Sequence, residues 1–145
     1  MQGFACRAPS RIGAAEPWLR ATPAMSTALI AAGTAAGSEL LLWAFAAVSA
    51  FAATRRVHPF DRLSNAIRSR RGQAPLPANP PPRRFAMVLA ALWSAATGAL
   101  FAGGLEVAGY VSGSALSLAG LTVASTHFCL GSWLFQRLRP LWTGR

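Results

Sequence analysis

The most suggestive spacing of reactive side chains in this sequence is that of His127 and Cys129, near its C-terminal end. A histidine close to a cysteine can lower the pKa of the thiol and raise the fraction of reactive thiolate. Positions i and i+2 of a helix point about 200° apart, so these side chains meet only if the chain bends between them. Two interpretations stay open: a reactive thiol at Cys129, or an interfacial histidine beside a small buried cysteine.

Other groups that could carry chemistry are few. The chain has four carboxylates and two histidines, and none of them has the spacing of a metal site or a nucleotide-binding motif. Glu39 lies in an apolar stretch, where an ionisable residue is functional if it is buried in the membrane and merely solvated if it lies at a hairpin tip. We favour the hairpin tip. We therefore expect no catalytic residues, no metal and no cofactor.

The composition is typical of a membrane protein. Hydrophobic residues make up 53% of the chain and charged residues 12%, about half of the charged fraction of a soluble domain. The basic residues are all arginine, as in proteins from GC-rich bacterial genomes, and the net charge is +10. These arginines lie at the edges of apolar stretches rather than on one helix face, which favours a role in membrane topology over nucleic-acid binding.

The apolar stretches predict an all-α polytopic membrane bundle with three to four transmembrane helices in hairpins and short amphipathic interfacial helices. Residues 25–54 are too many for one helix across the ~30 Å hydrocarbon core, and a turn at 37–39 would make them a short hairpin. Residues 85–104 and 107–126 each match one span, followed by a bend near 125–127 and a membrane-hugging helix. The expected regions are a flexible tail (1–24), a first membrane segment (25–54), an Arg/Pro-rich loop (55–84), a second membrane hairpin with an interfacial helix (85–138) and a basic tail (139–145).

The loop 55–84 holds eight arginines and a single acid, Asp61. Phe60, Leu63 and Ile67 recur at the spacing of one apolar helix face, and the Arg-rich opposite face would suit anionic headgroups. The proline run 75–82 cannot continue a helix, so it is a spacer or a docking site for a proline-reading domain.

Arginine counts predict the orientation. The loop 55–84 and the C-terminal tail are rich in arginine, whereas the turn 103–106 has none, so we place the first two in the cytoplasm and the turn outside the plasma membrane. The N-terminal tail carries three more arginines. If it is also cytoplasmic, the chain crosses the membrane four times, which we favour over three.

Stripes of small residues predict where helices pack, because close backbone contact replaces the hydrophobic effect in lipid. We expect the helices of 85–104 and 107–126 to pair with each other through these stripes, and dimerisation through one of them is the alternative. The first stripe is Ser94, Gly98 and Ala102; the second is Gly109, Gly113 and Ser117.

Three segments resemble the bacterial membrane proteins of the domain of unknown function 4395 family. They are His58-Pro59-Phe60-Asp61-Arg62-Leu63, Pro80-Pro81-Pro82-Arg83-Arg84-Phe85-Ala86 and Phe128-Cys129-Leu130-Gly131. The resemblance covers about residues 38–138. It implies four membrane helices in two hairpins, and gene neighbours of that family imply a thioredoxin-like or sulfurtransferase partner. Ser132 stands where the family has a second cysteine, so a Cys-x-x-Cys redox pair is excluded at this position.

Three functional hypotheses follow. The first is a non-enzymatic structural or partner-binding membrane subunit, embedded in the lipid bilayer. The second is a thiol- or sulfur-handling membrane factor that uses Cys129. The third is a small transporter subunit, for which Glu39 is the candidate buried ionisable residue.

Overall fold

The chain is all-helical, as predicted. A computed structural model describes residues 9–126 and 128–143, with side chains for 18–126 and 128–138. Within these ranges there are six helices and no strands. The helices are α1 (Pro9–Ala35), α2 (Glu39–Thr54), α3 (Pro59–Arg70), α4 (Pro81–Ala102), α5 (Glu106–Thr126) and α6 (Leu130–Thr143).

Two helices are both long and apolar enough to cross a membrane, namely α4 and α5. Helices α2 and α3 meet at a 71° bend and count as a third span only if they are taken together. With 16 residues, α2 alone is about 24 Å long, somewhat short of the ~30 Å hydrocarbon core. Length and composition therefore support a membrane protein with two or three such spans in the described part of the chain.

The turn between α1 and α2 lies at Gly37 and Ser38. Gly37 has a positive φ of 57°, a conformation that costs glycine little and other residues more. The Ser38 hydroxyl accepts a hydrogen bond from the Leu41 amide at 3.4 Å and caps α2. Glu39 follows in the first helical turn, where the helix dipole favours a carboxylate. It therefore lies at a hairpin tip rather than in the middle of a span.

Helix α3 turns its polar side towards the bundle. Asp61, Ser64 and Arg68 are buried, whereas Leu63 and Ile67 are exposed. The expectation that the arginines of this helix face the headgroups is thus wrong for Arg68. An inward polar face and an outward aliphatic face suit a helix at the membrane interface, where lipid rather than protein covers the apolar side.

The proline run starts α4 instead of merely separating two helices. Pro81 and Pro82 occupy its first turn, where a missing N–H costs nothing because the first amides of a helix have no intrahelical partner. The preceding residues fold back on the protein: Leu76 is buried, and its amide donates to Asn65 Oδ1 at 2.8 Å.

The α4 stripe packs on α2, not on α5 as expected. Ser94 is fully buried and donates a hydrogen bond to the Leu42 carbonyl at 3.0 Å. A Cβ atom at Gly98 would lie only 2.6 Å from Trp43 Nε1, so the indole occupies the space that glycine leaves. Ala102, the third member, is exposed.

The α5 stripe packs on both α1 and α4. A Cβ atom at Gly113 would collide with the side chain of Thr34, while Gly109 lies against the ring of Phe101. The Ser117 hydroxyl donates to Gly113 O within its own helix. Of the predicted α4–α5 contacts through these stripes, the structure shows the one at Gly109, whereas the other close contacts join α2 to α4 and α1 to α5.

Hydrogen bonds also join α4 to α5. The Ser112 hydroxyl accepts from Trp93 Nε1 at 3.0 Å and lies 2.8 Å from the Thr97 hydroxyl. Helix α6 returns along the start of α4, where the rings of Phe85 and Phe135 are 5.5 Å apart. This arrangement gives a bundle whose polar end is made by α3, the start of α4 and the loop between them.

Candidate functional site

A buried ion pair joins α3 to α4 at the polar end of the bundle. Arg83 Nη1 donates to Asp61 Oδ2 at 3.1 Å, and the two side chains are 7% and 1% exposed. The Thr22 hydroxyl donates to Asp61 Oδ1 at 2.5 Å. Burying two charges is costly unless they are paired and their remaining atoms hydrogen-bonded. The carboxylate meets this condition by binding residues from both α1 and α4.

His58 lies beside this pair in the connection between α2 and α3. Its Nδ1 accepts a hydrogen bond from the Phe60 amide at 3.1 Å and caps α3. Burial lowers the pKa of His58 to about 4, an effect opposed by the Asp61 carboxylate and increased by the Arg83 guanidinium. The imidazole is therefore neutral at neutral pH. We name Thr22, His58, Asp61 and Arg83 the Asp61 cluster.

A second arginine of the loop is also buried. Arg68 donates from Nε and Nη2 to the Ala74 carbonyl, at 2.9 and 2.7 Å. Its guanidinium carbon lies 5.9 Å from the ring centre of Trp18, within the range of a cation–π contact. These contacts hold the loop after α3 against both α3 and α1.

A cavity of about 730 Å³ adjoins the Asp61 cluster. Its walls come from α1, α2, α4, α5 and the start of α6, and most of them are aliphatic or aromatic. Thr22, His58 and Arg83 belong to the wall, so the cavity has a polar end and an apolar body. Such a shape is typical of sites that bind small molecules.

Cys129 also lies in the wall of this cavity and is half-buried, with a free thiol. His127, its expected partner, lies outside the described residues, so the thiol hypothesis stays a prediction. Ser132, one turn further on, is completely buried, and its hydroxyl has no hydrogen-bond partner among the described residues. Within the described part of the chain, no group of three or more His, Cys, Asp or Glu residues could hold a metal ion.

Sequence reasoning missed the Asp61 cluster. From the sequence, Arg83 is one of many topology markers and Asp61 is the single acid of the Arg-rich loop. A signal was present: Asp61, Ser64 and Arg68 share the helical spacing i, i+3, i+7, and Asp61 is the only acid among 55–84. The cluster also joins two of the segments that carry the family resemblance, those containing His58 and Arg83.

Comparison with known proteins identifies one family. Its model, described as Domain of unknown function (DUF4395), matches residues 15–139. The match begins well before residue 38, so it is longer than the motif-based resemblance. Neither the comparison with curated proteins nor that with solved structures finds a match.

Proposed function

Since the chain belongs to the domain of unknown function 4395 family, whose name assigns no activity, we propose a role for it from the structure. We infer that it is a non-enzymatic subunit of the bacterial plasma membrane that binds an acidic protein partner on its cytoplasmic face. The observation that carries this proposal is a basic surface at the polar end of the bundle, held by hydrogen bonds to the neighbouring helices.

Six exposed arginines form this surface, which we name the basic platform. The only acid among residues 55–84, Asp61, is buried and paired with Arg83, so it does not offset their charge. Unbalanced positive charge on one face attracts partners of opposite charge and accelerates their association. The members of the platform are Arg55, Arg56, Arg62, Arg70, Arg71 and Arg84.

Several contacts hold the platform in place. Arg84 Nε donates to the Ala53 carbonyl at 2.6 Å, and the backbone N–H of Asn79 donates to the Arg56 carbonyl at 2.7 Å. Together with the Asp61 cluster and Arg68, these bonds tie the loop to α1, α2 and α4. A partner would meet a preorganised surface, which lowers the entropic cost of binding.

Site-specific photocrosslinking in native membranes tests this proposal. A photoreactive amino acid at position 70 should crosslink to one discrete protein with an acidic surface, because Arg70 is exposed on the platform. The same amino acid at position 105, in the turn between α4 and α5, is the matched control and should not give this product. Substituting Arg62→Glu and Arg71→Glu should abolish the crosslink at position 70. Crosslinks to lipid alone would overturn the proposal in favour of headgroup binding.

The proposed topology has four crossings, with the platform in the cytoplasm. In a chain with Cys6 and Cys129 replaced by serine, single cysteines at positions 20 and 70 should react with a membrane-impermeant maleimide only after permeabilisation. A cysteine at position 105 should react in intact cells. Labelling of position 20 from outside would contradict four crossings, and labelling of position 70 from outside would contradict the orientation.

A further inference from the structure

We propose that the cavity beside the Asp61 cluster binds a neutral lipid. Its ligand would be a membrane-soluble molecule with a long apolar body and a small uncharged headgroup whose oxygen accepts a hydrogen bond from His58. This inference concerns the interior of the bundle and is independent of the basic platform.

The walls of the cavity select an apolar body. At about 730 Å³ it has the size of a small-molecule site. Residues such as Ile30, Phe45, Met87 and Leu116 line it, and water has few hydrogen-bond partners along walls of this kind. Filling this space with an apolar chain is more favourable in free energy than filling it with water, because the chain makes dispersion contacts with the apolar wall.

The cavity opens towards the lipid. Leu92 and Leu130 line it, and these two residues are 64% and 55% exposed. Leu92 lies in the middle of α4, which is one of the two helices able to span the membrane. A ligand can therefore enter sideways from the bilayer without crossing an aqueous phase.

The polar end selects an uncharged headgroup. The charge of Arg83 is balanced by Asp61 at 3.1 Å, so an anionic head would have to compete with a buried carboxylate. His58 is neutral at neutral pH because burial lowers its pKa. A neutral end of the cavity favours a neutral head, since a charge placed there would be desolvated without a counter-charge.

His58 also determines that the headgroup of the ligand must accept a hydrogen bond. Its Nδ1 already accepts the Phe60 amide hydrogen, so the proton of the neutral ring resides on Nε2. No described residue hydrogen-bonds to Nε2, and His58 forms part of the cavity wall. The ring thus offers a donor, which suits the oxygen of a hydroxyl or carbonyl group.

Photolabelling of the full-length protein in phosphatidylcholine nanodiscs tests the proposal. Three diazirine probes with the same chain would be compared: a long-chain alcohol, the corresponding alkyl phosphate and the corresponding hydrocarbon. The alcohol should label cavity residues saturably, at a half-saturating concentration about 10-fold below those of the other two probes. Equal half-saturation for all three probes, or tighter binding of the phosphate, would overturn the proposal.

Two variants locate the ligand. His58→Asn retains a good N-cap for α3 but removes Nε2, so labelling by the alcohol should need about 10-fold more probe while labelling by the hydrocarbon stays unchanged. Ala119→Phe fills the cavity and should abolish saturable labelling. Ala115→Phe, on the exposed side of the same helix, is the matched control and should label like the unaltered protein. Labelling that persists with Ala119→Phe refutes the site, and the three-probe comparison on the unaltered chain decides the question even if a variant fails to fold.

Discussion

Replacing Asp61 by asparagine is expected to destabilise the protein by about 3–5 kcal/mol, because it removes the carboxylate charge that pairs with the buried guanidinium of Arg83. Both side chains are almost completely buried, so water cannot solvate the remaining cation. The Thr22 hydroxyl would also lose its charged acceptor. The effect would be seen as a shift in the unfolding transition when the protein in mixed micelles is titrated with a denaturing detergent.

The control for this variant is Arg62→Gln, an exposed position next to Asp61 on the same helix. It should change the free energy of unfolding by less than about 0.5 kcal/mol. The double substitution Asp61→Leu with Arg83→Met should recover much of the loss, since it removes both charges together. A loss no larger than that of Arg62→Gln would show that the ion pair contributes nothing to the fold.

Replacing Gly113 by valine should separate α1 from α5 and cost about 1–3 kcal/mol by overpacking. A Cβ atom at this position would lie 2.9 Å from Thr34 Cβ and closer still to its hydroxyl oxygen. Because Thr34 is short and buried, it cannot swing away, so the backbones themselves must move. Crosslinking between cysteines at positions 27 and 120, which face each other across this interface, would report the separation.

Ala115→Val is the matched control, since Ala115 lies two residues from Gly113 on the exposed side of α5. Both substitutions introduce the same β-branched side chain into α5. Helix propensity by itself favours Gly113→Val over Ala115→Val, because valine is a better helix former than glycine and a poorer one than alanine. A larger loss for Gly113→Val therefore reports packing. Equal stability and equal crosslinking for the two variants would show that α1 and α5 do not pack closely at Gly113.

Much of the helical architecture could be predicted because it depends on local properties. The span 107–126 follows from an uncharged run whose length matches the hydrocarbon core, and α5 covers Glu106–Thr126. The end of α5 at Thr126 and the turn at Gly37 were likewise readable from polar residues and glycine. The start of α4 was harder to predict, since prolines interrupt a helix yet also begin one well.

The partners of the helices could not be predicted in this way. Small residues at Gly98 and Gly113 indicated close packing, but the same spacing is compatible with any neighbouring helix. The neighbours were decided by complementary side chains elsewhere in the chain: Trp43 fills the space beside Gly98, and Thr34 the space beside Gly113. Such matches depend on how all the helices are arranged, which no single segment specifies.

By itself, the sequence determined that this protein is an all-α membrane protein with a basic polar end, because hydropathy, segment length and charge act residue by residue against lipid and water. Only the tertiary structure decided that Asp61 pairs with Arg83 and that His58 borders an apolar cavity. These residues come from α3, α4 and the connection before α3, and the 71° bend between α2 and α3 places them together. The burial of these residues depends on that bend, so the ion pair and the polar end of the cavity exist only in the folded chain.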